Sequence, residues 1–179
     1  MRWLGILVFL AITACAASNN SPFVSTVDDQ TGQSVVYAKS PLTFVANRPN
    51  LSQVGKDYLV ISPLRASIQG TSRNYLFFAL GSTIDRALMD ASVPSVRSII
   101  LRVDGQLMSF ETTKWSALSR QAPFSVDLLV HEMLVAEFTQ SEMALITRAD
   151  SLSAWLLDDN DRSPEYRLLG GDHKQWDQF

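Results

Sequence analysis

His131 and Glu132 are adjacent, and a histidine followed by a glutamate opens the zinc-protease pattern H-E-x-x-H, whose second histidine stands one helical turn later. Val135 occupies that place, and His173 is the only other histidine in the chain, so a zinc site lacks its ligands. Asp158-Asp159-Asn160-Asp161 gathers side-chain oxygens as a calcium loop would. Arg162 and Ser163 then stand where an EF-hand needs its fifth-position ligand and its turn glycine, which leaves a solvated polar turn as the better account. The carboxylates Asp127, Glu132 and Glu137 have the chemistry of an acid/base pair, although spacing alone does not bring two of them together. Ser82 follows Gly81 but lies in no G-x-S-x-G elbow. The eight glycines are scattered singly apart from Gly170-Gly171, so neither a phosphate-cradling loop nor a dinucleotide fingerprint is present. Tyr58, Tyr75, Phe77, Phe78 and Trp155 have the shape to line a ligand groove, but on strands such residues more often fill a core. The expectation is a non-catalytic chain with no cofactor and no metal.

One residue does carry a specific chemistry. Cys15 is the single cysteine of the chain and cannot form an internal disulfide. It follows one positive residue, Arg2, an apolar run from Trp3 to Ile12, and the small residues Thr13 and Ala14, which is the order of an export signal. A spanning helix wants about 20 apolar residues, and this run is shorter. Ile12-Thr13-Ala14-Cys15 resembles the lipobox of bacterial lipoproteins, in which an aliphatic and two small residues precede a cysteine. The resemblance implies a thioether-linked diacylglycerol on Cys15 and cleavage just before it, usually with a third chain on the new amino terminus. Two acyl chains hold a protein stably on a bilayer where one does not. Ala14-Cys15-Ala16 is also an A-x-A site, and ordinary cleavage after Ala16 would release a soluble secreted protein. In a host with two membranes, Ala16 rather than an aspartate after the cysteine resembles the outer-membrane sorting pattern.

Taking residues 1–14 as a signal peptide leaves 165 of the 179 residues, enough for one domain with a core of its own. The net charge moves from −3 to −4 with the loss of Arg2, and no basic stripe exists. Nucleic acid is therefore excluded as a partner, because its binding rests on lysine and arginine neutralising phosphates. Residues 15–33 are small and polar without a period and read as a flexible tether, leaving 34–179 as a single domain.

The elements that must carry any site are mostly strands. Ser34–Ala38 and Leu42–Val45 form one bent or two short strands around Ser40-Pro41, and Asn47–Gly55 is a loop. Asp57–Ile68 and Asn74–Ile84 form a pair across Gln69–Ser72, with Pro63 arguing for an edge or a bulge in the first and apolar residues on both faces of the second. A capping-box spacing at Ser82–Asp85 places a short helix over 86–91. Asp104-Gly105 predicts a two-residue type I′ hairpin pairing Val103 with Gln106, Leu101 with Met108 and Ile99 with Phe110. Trp115 and Leu118 fit a short helical turn. Apolar even positions from Phe124 to Phe138, interrupted at Glu132, exceed a usual strand and predict a bulge or turn near His131–Met133. The capping box Thr139–Glu142 opens a helix from about Gln140 to Ala149. Leu152–Leu157 and Glu165–Leu169 form a last pair, and His173, Trp176 and Phe179 lie on a short turn laid back on the domain.

Fold class follows as mainly β (α+β): a single antiparallel sandwich or strongly curled sheet with one or two short helices. Asp57–Leu64 and Asn74–Arg86 resemble stretches of small uncharacterised proteobacterial lipoproteins, a likeness that carries an address and no activity. The expected function is a membrane-anchored envelope lipoprotein facing the periplasm, held through lipid on Cys15, whose domain meets an envelope protein or other component. The alternative is a periplasmic binding module for a small apolar or glycan ligand.

Overall fold

The computed structural model describes residues 21–28, 32–48, 53–68, 70–85, 95–119, 122–123, 129–158 and 161–179. The segment 1–14 expected as a signal peptide, Cys15, and the helix expected over 86–91 lie outside them, as does the start of the strand expected from Phe124. Eleven strands make one antiparallel sheet that curls into a nearly closed barrel.

The sheet is built from hairpins. β1 (Phe23–Asp28) pairs with β2 (Gln33–Ala38), and β2 continues past Lys39-Ser40-Pro41 into β3 (Leu42–Asn47). β4 (Lys56–Ile68) is long enough to serve both: its first half pairs with β3 and its second half with β2. On its other side β4 pairs along its whole length with β5 (Thr71–Ser82). Phe23–Asp28 is thus a strand of the domain, which corrects the reading of residues 15–33 as tether throughout. Pro63 lies in a central strand, which corrects the expectation of an edge or bulge. Residues 62 and 63 face the junction where β4 changes partner from β3 to β2. A missing N–H breaks no ladder there.

β5 is buried on both faces from Tyr75 to Ser82, as its sequence requires, because it lies between β4 and β9 (Leu129–Glu137). Glu132 stands opposite Leu80 and Val130 opposite Gly81, so His131 is the extra residue of a bulge. The bulge explains why the even apolar positions on either side of Glu132 do not share one face. Leu134 and Ala136 join the inner core, whereas Val130 packs on the outer side.

β6 (Ser98–Val103) and β7 (Gln106–Glu111) form the hairpin around Asp104-Gly105 in the predicted register, with positive φ at both turn residues. β8 (Thr113–Lys114) follows after Thr112 alone, pairs with β9, and leads into a 3₁₀ turn at Trp115–Ala117. α1 (Gln140–Arg148) has its complete capping box: the Thr139 hydroxyl accepts from Glu142 N–H, and Glu142 accepts from Thr139 N–H. β10 (Leu152–Leu157) pairs with β6 on one side and with β11 (Tyr166–Gly170) on the other, and β11 returns to β3. A 3₁₀ helix, His173–Gln178, ends the chain.

The barrel interior is filled. Phe44, Leu59, Leu76, Phe78, Ile99 and Leu134 are completely buried in it, with Met143 and Ile146 of α1 and Trp176 closing one end. Burying a side chain of this size contributes about 1.5–3 kcal/mol. A second cluster lies on the outer face of β4, β5 and β9, where the Phe77 and Trp115 rings meet edge to face with centroids 5.3 Å apart. The closed end depends on a glycine: Gly171 has φ +108°, and a Cβ there would stand 2.5 Å from the Pro41 carbonyl oxygen.

Candidate functional site

The two ends of the barrel differ in chemistry. At the closed end, the His173 Nε2 lies 2.8 Å from the Ala149 carbonyl oxygen, the C-cap of α1. A carbonyl only accepts, so Nε2 carries the hydrogen and the ring fastens the terminal 3₁₀ helix to α1. The Asp104 carboxylate at the tip of the β6–β7 hairpin accepts from Ser151 N–H at 2.8 Å and Asp150 N–H at 3.0 Å. These backbone bonds, with burial opposing them, hold its pKa below the ordinary value. Both arrangements tie elements together, while the His173 Nδ1 and the Trp176 Nε1 are buried without a hydrogen-bond partner among the described residues.

The opposite end, the mouth, collects charge. β3 delivers Arg48 just past its last residue and β4 delivers Asp57 as its second, so the two flank the β3–β4 connection. Arg48 Nε donates to Asp57 Oδ2 at 2.6 Å, with the Asp57 side chain 4% exposed and Arg48 21%. Burial alone would lower the guanidinium pKa. The hydrogen bond and charge of Asp57, with Tyr166 of β11 beside it, raise it instead. Arg48 also lines a cleft of about 130 Å³ with Val96, Leu156, Asp158, Asp161 and Arg162. Across the mouth, Glu132 falls on the inner face of β9 opposite Leu80. Its Oε2 is enclosed and has no hydrogen-bond partner. Burial raises its pKa, against the pull of Lys114 and of a hydrogen bond from the Val96 backbone.

The residues singled out in the sequence do not converge. Glu137 projects from the other face of β9, exposed and paired with Arg73 at 2.8 Å, so it forms no acid/base pair with Glu132. Asp127 lies outside the described residues. His131 is half-buried on the bulge with its Nε2 enclosed and unpartnered, while His173 is at the other end of the barrel. Asp158 and Asp161 bond within their own turn, Asp161 N–H donating to Asp158 Oδ1 at 2.6 Å. Ser82 is buried, and its hydroxyl donates to the Lys56 carbonyl at 3.3 Å. Among the aromatics, Tyr75, Phe77 and Phe78 are core; Trp155 is half-buried between the guanidinium groups of Arg102 and Arg162, 5.0 and 4.0 Å from its ring. Arg48, Asp57 and Tyr166 form the most buried charged cluster at the mouth and were not foreseen. The available signal was two opposite charges flanking a predicted hairpin loop.

Comparison with family models, with curated proteins and with solved structures finds no match for this chain.

Proposed function

We propose that the chain is an envelope lipoprotein, held at the periplasmic face of a membrane by lipid on Cys15, with the outer membrane favoured, and that its barrel is a non-catalytic interaction or accessory domain. The observation that carries this is the sequence Ile12-Thr13-Ala14-Cys15 after an apolar run, ending on the single cysteine of the chain. A filled barrel supports the non-catalytic part. Its interior is occupied by the chain's own side chains from Phe44 to Trp176, and the titratable groups at the mouth are bound to one another or face in different directions. The same filling weighs against the alternative of an apolar or glycan ligand held inside. Ligand pockets commonly measure about 300–1,000 Å³; the cleft beside Arg48 measures about 130 Å³, while a groove of about 460 Å³ lies outside the barrel between α1 and the terminal 3₁₀ helix, lined by Met143, Thr147, Arg148, Lys174 and Asp177.

A protein partner at the mouth is the form of interaction we favour, since a buried arginine paired with a carboxylate at a rim suits polar recognition. Fractionation of cells producing the native chain or Cys15→Ser tests the anchor. Membrane association that survives the substitution removes the lipid from this account.

A further inference from the structure

Curling removes edges from most of the sheet. The terminal strands of its main path, β7 and β8, are consecutive in the chain and meet across Thr112. β1 lies off that path, and among the described residues it pairs with β2 alone. One long side of this six-residue strand is therefore open.

Which groups that side offers follows from one hydrogen bond. The Lys39 N–H donates to the Pro22 carbonyl at 2.8 Å, so residues 22 and 39 form a hydrogen-bonded pair of the antiparallel ladder. Such pairs alternate with non-bonded ones along the register from Phe23–Ala38 to Asp28–Gln33. Residues 24, 26 and 28 thus turn their backbone groups to β2, and residues 23, 25 and 27 turn theirs outward. The far side of β2 keeps the same phase: the Ala38 carbonyl, opposite Phe23, accepts from the Ser62 hydroxyl of β4 at 3.5 Å. Of the outward groups, the Phe23 N–H is taken by the Ser21 hydroxyl at 3.2 Å. The Phe23 carbonyl and both groups of Ser25 and of Val27 remain.

This edge lacks the devices that keep edge strands from pairing, which are charges, prolines and bulges. From Phe23 to Val27 the chain carries no charge and no proline, and its register with β2 is unbroken. Ser25, Thr26 and Val27 are exposed, Val27 to 59%.

We propose that β1 pairs antiparallel with β1 of a second copy of this chain, about a two-fold axis through Ser25. The alternation selects the register. Outward residues must meet outward residues for the ladder to form, and a shift by one residue sets them against groups already turned to β2. Of the registers that remain, the one centred on Ser25 uses residues 23, 25 and 27 of both copies. It places Ser25 opposite Ser25, and the exposed Val27 beside Phe23 of the second copy. No like charges come together across residues 23–27, which would oppose the pairing. Because the same edge serves on both copies, the contact closes as a dimer and extends no further. The proposal is independent of the lipid on Cys15 and of a partner at the mouth.

The test uses the full chain purified from membranes in detergent, with hydrogen exchange read at single amides and the mass of the complex read by native mass spectrometry. In concentrated protein the Ser25 and Val27 amides should exchange at least about tenfold more slowly than after dilution into empty micelles. The Thr26 amide, turned to β2, should stay protected in both. Ser25→Pro removes an N–H that only the second copy needs and leaves the β1–β2 ladder whole; Val27→Lys adds the charge that guarded edges carry. Each should turn a two-copy mass into a one-copy mass and free the amide of residue 27, with Thr26 still protected as the sign of an intact fold. A native chain of one-copy mass whose Ser25 and Val27 amides exchange freely at every concentration overturns the proposal. A two-copy mass that survives both substitutions places the contact elsewhere and overturns it as well. Protection of Ser25 and Val27 only in membranes, in a complex with a different protein, assigns the edge to an extended segment of that protein and overturns the pairing of copies.

Discussion

Glu111 and Thr113, one residue apart, pair with opposite ends of the sheet: Glu111 with Ser98 of β6 and Thr113 with Val135 of β9. The residue between them, Thr112, is where the sheet meets itself. Its hydroxyl reaches the Val96 carbonyl at 3.1 Å and the Arg97 carbonyl at 3.0 Å, and its N–H donates to Arg97 at 2.9 Å. Thr112→Val keeps the shape and the backbone bond but loses the hydroxyl. The expected cost is about 1 kcal/mol, read as a lower urea midpoint with an unchanged slope. An unchanged midpoint would mean that the hydroxyl adds nothing to the hold on residues 96 and 97 beside the closure.

At the mouth, Arg48→Leu leaves the Asp57 carboxylate buried without its guanidinium. Removing one partner of such a pair costs about 3 kcal/mol. Replacing both, with Asp57→Leu added, removes the buried charge and should recover much of that loss. Urea unfolding of the two single variants and the double variant gives the coupling. Additive losses would show that the two side chains act independently despite their 2.6 Å contact.

The Glu132 pKa moves in the opposite direction to that of a paired carboxylate. Burial raises its pKa in the folded protein, so folding favours the protonated form. Its contribution to stability is fully present below the unfolded-state value of about 4.3, and is lost as pH rises through the raised folded-state value. Glu132→Gln removes this dependence. Relative to the native chain the variant should gain stability as pH rises from the acid range, then run parallel once the native carboxyl is ionised. Unfolding curves that stay parallel throughout would contradict the burial effect.

Asp104 titrates the other way. Its pKa is lowered by the backbone bonds to Ser151 and Asp150, so its contribution is present above the unfolded-state value and is lost as pH falls through the folded one. Asp104→Asn tolerates the positive φ of 47° and so isolates the charge. The native chain should be the more stable near neutrality, and the gap should close in acid below about pH 3.9. A gap that persists into acid would assign the effect to shape rather than charge.

Local signals in the sequence were legible where one or two residues decide the geometry. Asp104-Gly105 set its hairpin register because only a turn with two positive φ values fits, and Thr139–Glu142 set the start of α1 because the cap closes within one turn. The bulge at His131 was visible as a strand too long to be regular. Non-local features were not legible. Closure through Thr112 depends on two strands far apart in sequence, so the curled sheet could be expected but not the near-complete barrel. Pro63 looked like an edge residue because a partner exchange on one side of β4 leaves no local trace. β1 was missed because Ser25, Thr26 and Asp28 give it the polarity of a tether; its pairing with β2 holds it in the sheet. At the mouth, Arg48 and Asp57 are separated by a loop whose closure, rather than its composition, brings them together.

The anchor is the claim on which the proposed function stands. The direct measurement is the intact mass and N-terminal fragment mass of the protein recovered from the membrane fraction, beside Cys15→Ser. The account predicts a chain that begins at Cys15 and carries a diacylglycerol, with both the modification and the membrane association lost in the variant. An unmodified chain beginning at Ala17 and found in the soluble fraction would contradict it.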